Sequence, residues 1–433
     1  MKLDFRARPM QVALICLVIA LQSCTPRQAL MPTPNVVYQT GNFDLNSLNP
    51  ELKNSSAEIL FLTDRNPYQT PEKSLAYGIN RSSSLSFGTA TVAIGKNLSW
   101  QQLLNASNQK ERRTSLVYSI SNIVEHGRYP ATPYLFDIVD GRPVEDTRTQ
   151  YNRLESNTRL TNQIVQRLKT SDKKELVLFV HGYNNSFDEA QYSMAGIWHF
   201  LGRNMVPVTY SWPAGQGGTM GYFIDRESGE YTIFHLKEVF RLLFSIKEIE
   251  KIHIVAHSRG AVVVTSALRE LLIESLAKGE VPRNEFRIAN LILAAPDMDF
   301  GIMAQRLMAE KFAAAVHRIT IYTTKSDKAL SFSKYLLRGV RFGQVGYNDL
   351  SDEQKRIFAR IHNVSIVQAQ DVGSFVGHSY FEDHPAVSSD LIITLNTSAI
   401  PGSKIRPLTH SGGNVWKIPR GYPNLNTINS ADK

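Results

Sequence analysis

From about residue 175 onward, short apolar runs alternate with longer stretches whose apolar residues recur every third or fourth position. Short runs apolar on both faces suit strands covered on both sides, and the longer periodic stretches suit helices laid against them. Strands are therefore predicted at Leu176–Val180, Val206–Tyr210, from Ile252 into Ala256, at Ile288–Ala294, at Arg318–Thr323 and, last, at Val364–Gln368. Between them the pattern predicts helices at Asp188–Leu201, Thr232–Ile246, Ala261–Leu276 and Phe300–Phe312, with Ala386–Leu395 closing the sheet. A glycine-rich stretch, Pro213–Gly229, is expected to be a loop. Strands alternating with helices imply an α/β fold, a mostly parallel central sheet with helices on both faces. Upstream, Glu58–Thr63, Phe87–Ile94, Leu116–Ile123 and Tyr134–Val139 are strand-like. Thr147–Leu168 reads as an amphipathic helix with Leu154, Leu160, Ile164 and Leu168 near one face.

The first residues have a different pattern. Lys2, Arg6 and Arg8 precede the apolar run Val12–Leu21 and the small Ser23, which is the layout of a secretory signal over residues 1–23. Its apolar core is short for a membrane span. Leu21-Gln22-Ser23-Cys24 resembles the lipobox of bacterial lipoproteins. That resemblance implies lipidation at Cys24, against the plainer alternative of a cleaved signal with an incidental cysteine. Thr25-Pro26 follows, with no Asp at the second mature position, which by the same resemblance points to the outer membrane, facing the periplasm. Residues 24–57, rich in Pro, Asn, Ser and Thr, read as a flexible tether. One domain is expected over 58–400, divided into N-terminal strands and insertion (58–170) and a catalytic core (171–400). Residues 401–433, with Pro, Gly and Asn throughout, are expected to be a loosely ordered tail.

Composition narrows the chemistry. With 42% hydrophobic and 20% charged residues, the 433-residue chain can bury a large core. The formal charge of +9 comes without a run of five or six like charges and without a basic stripe interleaved with aromatics, so nucleic acid is not an expected partner. Both cysteines, Cys16 and Cys24, lie in the first 24 residues. No disulfide framework or thiolate metal site can then be built beyond them, and catalysis would fall to an oxygen nucleophile, with no cofactor or metal required.

The run Ile252–Ala256 leads through His257 to Ser258, then Arg259, Gly260 and a helix-permissive stretch. Strand, tight turn with Ser at its tip, and helix together form the nucleophile elbow of α/β-hydrolases, whose strain calls for small residues two before and two after the Ser. Ala256 and Gly260 meet that need. The plainer alternative makes Ser258 an ordinary helix cap. Phe179-Val180-His181-Gly182-Tyr183-Asn184-Asn185, at the end of an earlier strand, supplies the other half of an oxyanion hole. The expected donors are the N–H groups of Tyr183, with Asn184 as the alternative, and of Arg259. In the loop after the last predicted strand, Gly373 to Phe381 offers His378 as general base, with His362 and His384 as competitors. The acid should lie between Ser258 and His378 in the chain, on a loop after a strand. Asp327 holds the usual position; Asp297 and Asp299, one strand earlier, read more simply as turn and cap residues.

Thr63-Asp64-Arg65, Tyr77-Gly78, His181 to Asn184, Ser211-Trp212-Pro213, Tyr222 to Ser228, Ala256-His257-Ser258, Ala295-Pro296-Asp297 and Gly377 to Phe381 occur in one order. As an ordered set they resemble the DUF900 group of esterase- or lipase-like bacterial α/β-hydrolases, from about residue 58 to about residue 396. Arg259 stands where that family often has Met. The resemblance implies the α/β-hydrolase fold and a Ser258-Asp327-His378 triad, and it implies no particular substrate. The expected function is a membrane-anchored serine hydrolase acting on a small-molecule or lipid ester, with 213–229 as one wall of an acyl pocket. An envelope binding or assembly protein on the same scaffold, or a thioesterase or acyltransferase using the same site, are the alternatives.

Overall fold

In the strand Glu175–Val180 every residue is buried. Leu176, Leu178 and Val180 join one apolar layer, whereas Val177 and Phe179 join the other. Side chains alternate across a strand, so both faces of this sheet are covered. The computed structural model describes residues 29–40, 45, 48–71, 75–337, 340–349, 351–369 and 377–424. The signal expected over 1–23, and Cys24, lie outside the described residues.

The strands are β1 (Ser56–Tyr68), β2 (Ala76–Ile94), β3 (Tyr118–Arg128), β4 (Phe136–Val139), β5 (Arg142–Glu145), β6 (Glu175–Val180), β7 (Val206–Ser211), β8 (Lys251–His257), β9 (Ile288–Ala294), β10 (Arg318–Thr323), β11 (Val364–Gln368), β12 (Thr409–Gly412) and β13 (Val415–Lys417). Eleven form one sheet in the order β12-β13-β11-β10-β9-β8-β6-β7-β1-β2-β3, and β4 and β5 make a separate ribbon. From β1 to β13 neighbours run parallel. Only β2, β3 and β12, at the two edges, add antiparallel pairings. After β6 the chain forms β7 on one side, then crosses to form β8 on the other. This reversal falls between β6 and β8, and open α/β sheets take their ligands at the carboxyl ends of the strands beside such a switch point.

The longer helices, with the short one near the N-terminus, are α1 (Asn35–Thr40), α2 (Thr147–Thr170), α3 (Phe187–Phe200), α4 (Gly218–Ser245), α5 (Gly260–Ala277), α6 (Lys328–Leu337) and α7 (Pro385–Thr397). One face of the sheet is covered by α2, α4 and α5 through Leu160, Ile164, Leu236, Phe240, Val264 and Leu268. The other is covered by α3 and α7 through Met194, Ile197, Val387 and Leu391. Among the described residues no helix is long and apolar enough to cross a membrane.

Several expectations are corrected. The glycine-rich stretch is mostly helix, because α4 begins at Gly218 and not near Thr232. Gly217 and Gly218 turn the chain into it at φ 63° and 66°, a left-handed backbone open to glycine. In α2, Leu154 faces solvent, while Leu160, Ile164 and Leu168 are buried as expected. The helix expected at Phe300–Phe312 is a short α-helix, Phe300–Met303, followed by a π turn and a 3-10 turn. The tail is packed as far as residue 424: β12 and β13 extend the sheet, and Arg406 and Tyr422 are fully buried. Their partner is Asp390 on α7, which Arg406 holds through Nε at 2.9 Å and Nη2 at 2.6 Å and Tyr422 through its hydroxyl at 2.6 Å. A buried carboxylate needs such partners, and loop-like composition conceals them. Part of the expected tether is core as well. Leu30, Met31 and Val37 are buried, and Asn35 Nδ2 donates to the Tyr422 carbonyl at 2.6 Å.

Candidate active site

Ser258 follows β8 directly and has φ 53°, a left-handed conformation costly for a residue with a Cβ. Its backbone is pinned from both sides, N–H to the Ala294 carbonyl at 2.8 Å and carbonyl to the Asp297 N–H at 3.2 Å. A Cβ on Gly260 would come within 2.3 Å of the His181 carbonyl oxygen, so only glycine fits there. The turn is thus the strained elbow that the sequence predicts, and Ser258 is not acting as a helix cap. Its Oγ lies 2.6 Å from His378 Nε2.

His378 Nδ1 lies 2.7 Å from Asp327 Oδ2, and Asp327 is fully buried. The second oxygen of Asp327 accepts from the Leu330 N–H at 2.9 Å, so the carboxylate is held from behind by the first turn of α6. Burial alone would push the His378 imidazole down. The Asp327 carboxylate, by charge and hydrogen bond, and the charge of Asp297 reverse this and hold it above its ordinary value. The chain therefore brings Ser258, His378 and Asp327 into one hydrogen-bonded line. His384 accepts from the Ala386 N–H as a helix cap, and His362 is exposed. The stretch Gly373 to Phe381 is described only from residue 377 onward.

Asp297 is buried but turned away from the imidazole. Its oxygens accept from the Tyr222 hydroxyl at 2.6 Å and from Ser333 Oγ at 2.7 Å. Asp299 accepts from the Ile302 N–H at 3.0 Å and caps the short helix, as the plainer reading has it.

Gly182 lies so close over the nucleophile that a Cβ there would sit 2.7 Å from Ser258 Cβ. Tyr183 follows it, with its hydroxyl donating to the Gly218 carbonyl at 2.7 Å. The alternative donor is engaged elsewhere: the Asn184 N–H donates to Asp225 Oδ2 at 3.0 Å. Among the described residues the Arg259 N–H has no hydrogen-bond acceptor.

A supporting shell under this loop was not legible in the sequence. Asp225, on the second turn of α4, also receives the Gly215 N–H at 3.0 Å; burial raises its carboxyl pKa, against those backbone donors. Arg65, fully buried, donates to the carbonyls of Gly78 at 3.0 Å, Ala214 at 2.8 Å and Asn185 at 2.7 Å. Its Nη2 also faces His181 Nε2 at 3.2 Å. Burial, then the Arg65 charge, drives His181 down to about 3, leaving a neutral imidazole whose Nδ1 donates to the Gly182 carbonyl at 2.9 Å. His257, also kept neutral by burial, donates from Nε2 to the His378 carbonyl at 3.2 Å and so braces the base's backbone. All four of these residues lie in motifs quoted above, yet nothing in the sequence marked them as supports for the site. Among the described residues no group of three or more His, Cys, Asp or Glu could hold a metal ion.

An open, mostly parallel sheet with a strained serine elbow at its switch point is an α/β-hydrolase. The chain belongs to the family described as alpha/beta hydrolase of unknown function (DUF900), whose model matches residues 156–395. A solved structure described as a cell-surface hydrolase of Lactobacillus plantarum WCFS1 is 13% identical, covering 53% of this chain and 94% of that one at a TM-score of 0.32. At that degree of likeness neither fold nor activity transfers. No curated protein matches the chain.

Proposed function

We propose that this protein is a membrane-anchored serine hydrolase that cleaves carboxylic esters through an acyl-enzyme. The observation that carries the reading is the line from Ser258 Oγ to His378 at 2.6 Å and on to Asp327 at 2.7 Å. His378 Nε2 takes the Ser258 proton as Oγ attacks the ester carbonyl, then returns it to the leaving alcohol. Asp327 keeps the imidazole in the tautomer that leaves Nε2 free to accept, and stabilises the imidazolium. The N–H groups of Tyr183 and Arg259 would hold the oxyanion. Water, activated by the same imidazole, then releases the acid.

Labelling by a fluorophosphonate and turnover of p-nitrophenyl esters of graded chain length test this. Ser258→Ala should abolish labelling and lower turnover by about 10⁴ or more while the protein stays folded. A wild-type protein that neither labels nor hydrolyses any of these esters would retire the proposal. The anchor rests on Leu21-Gln22-Ser23-Cys24. Cys24→Ala should release the protein from washed membranes, and retention there would refute lipidation.

A further inference from the structure

A buried guanidinium is expensive unless acceptors surround it. Three of the buried arginines obey this plainly. Arg65 donates to three carbonyls and to Ser211 Oγ, Arg203 to the carbonyls of Leu52 and Ser56, and Arg406 to both oxygens of Asp390. Arg341 faces the buried carboxylate of Asp297 at 3.7 Å. Arg259, only 8% exposed, is held by nothing comparable. Its guanidinium makes no hydrogen bond to a described residue, and among those residues its one carboxylate neighbour is Glu230 at 4.0 Å. The Glu230 side chain is 54% exposed, and a surface carboxylate at that distance offers a weak, water-screened pairing. The Arg259 side chain keeps 10% of its surface exposed, so it still reaches solvent.

The residue itself adjoins the serine of the elbow. Arg259 is bonded to Ser258, and its charge acts on the buried Tyr222 phenol of α4. The side chain leaves the elbow beside α4, 4.0 Å from Glu230, and no described residue accepts from its five N–H donors. A planar guanidinium matches a carboxylate or a phosphate through paired hydrogen bonds. We infer that Arg259 is a specificity-determining residue, and that the substrate is an ester bearing a second, anionic group, a carboxylate or phosphate, a few bonds from the scissile carbonyl. Glu230 screens the cation until that group displaces it. The inference rests on the ester-hydrolase reading for the identity of the reacting bond, but the anion site stands on its own geometry.

Paired esters test it. p-Nitrophenyl hemiglutarate and p-nitrophenyl valerate have acyl chains of the same length, one ending in a carboxylate and one in a methyl group. 4-Acetoxybenzoate and 4-acetoxybenzamide move the same contrast to the leaving group. Wild type should favour the charged member of one pair by about ten- to a hundredfold in kcat/KM, as a charge-assisted hydrogen bond allows. The favoured pair tells which side of the ester carries the anion. Arg259→Met should abolish the ratio whatever it does to absolute rates, Arg259→Lys should retain part of it, and Glu230→Gln should increase it. Calorimetry on Ser258→Ala gives a readout free of turnover: monomethyl glutarate should bind more tightly than methyl valerate, and adding Arg259→Met should remove the difference. Charged and neutral probes treated alike by wild type and by the variants, in turnover and in binding, overturn the anion site. Binding that depends on Arg259 without turnover of any ester retains it and removes the hydrolase reading instead.

Discussion

Asp327 and Asp297 sit on loops after neighbouring strands, and both act on His378, but only Asp327 shares a proton with it. Their replacements should therefore differ in kind. Asp327→Asn should cost about 10⁴ in kcat by disturbing the tautomer and removing the imidazolium's partner. Asp297→Asn should leave most turnover and move its pH dependence. The base works only when neutral, and its pKa is held above the ordinary value of about 6.5, so kcat/KM should rise with pH through a midpoint above that value. Losing the Asp297 charge should lower the midpoint; a pH profile superimposable on wild type would contradict this. Ser258, His378 and Asp327 were legible in the sequence because each follows a recognisable strand in the required order. Arg65, Asp225 and His257 were not, because their partners come from loops far away in the chain.

α4 was the element least legible in advance. Its glycines argued for a loop, since glycine in a helix costs about 1 kcal/mol against alanine. Tertiary contacts of its first turns outweigh that cost: Tyr222 reaches Asp297, and Asp225 gathers the N–H groups of Asn184 and Gly215. The expected loop wall over the site is thus a helix end hydrogen-bonded to the loop that carries Tyr183. Asp225→Asn would put an amide in place of one carboxylate oxygen and lose part of that grip. We predict a fall in kcat of about ten- to a hundredfold, the range that slight misplacement of a reacting group produces, with KM nearly unchanged. A variant with a lower melting temperature and normal kcat would make Asp225 a stability residue only. The six strands from β6 to β11, by contrast, were predicted to within about a residue, because their sides are mostly apolar and their neighbours add little that periodicity omits.

For the whole molecule, the two ends of the described chain close the fold together. Asn35 and Gln39 donate to the carbonyls of Tyr422 and Gly421 at 2.6 and 3.1 Å, and Val36 donates to Ser389 at 3.0 Å. Composition pointed to a flexible tether at one end, rich in Pro, Asn, Ser and Thr, and to a loosely ordered tail at the other, rich in Pro, Gly and Asn, whereas a few apolar and charged residues decide the packing. The C-terminal contribution centres on Asp390, which Arg406 and Tyr422 satisfy. Arg406→Met should strand a buried carboxylate and cost about 3–5 kcal/mol in chemical denaturation, the range for breaking one partner of a buried pair. Adding Asp390→Asn should recover part of the loss, and no recovery would locate the damage elsewhere.

That clasp has a consequence for how the protein is made. Synthesis runs from the N-terminus, so α7, with Asp390, is made before Arg406 and Tyr422 follow. Until they arrive, the buried carboxylate on the helix that covers one face of the sheet has the Tyr322 hydroxyl of β10 at 2.8 Å and neither of its later partners. Completion of the fold should thus wait for the stretch that carries Arg406 and Tyr422, and chains clipped upstream of residue 406 should be inert prey for proteases. The segment that follows α7 thus decides whether the helix before it stays packed.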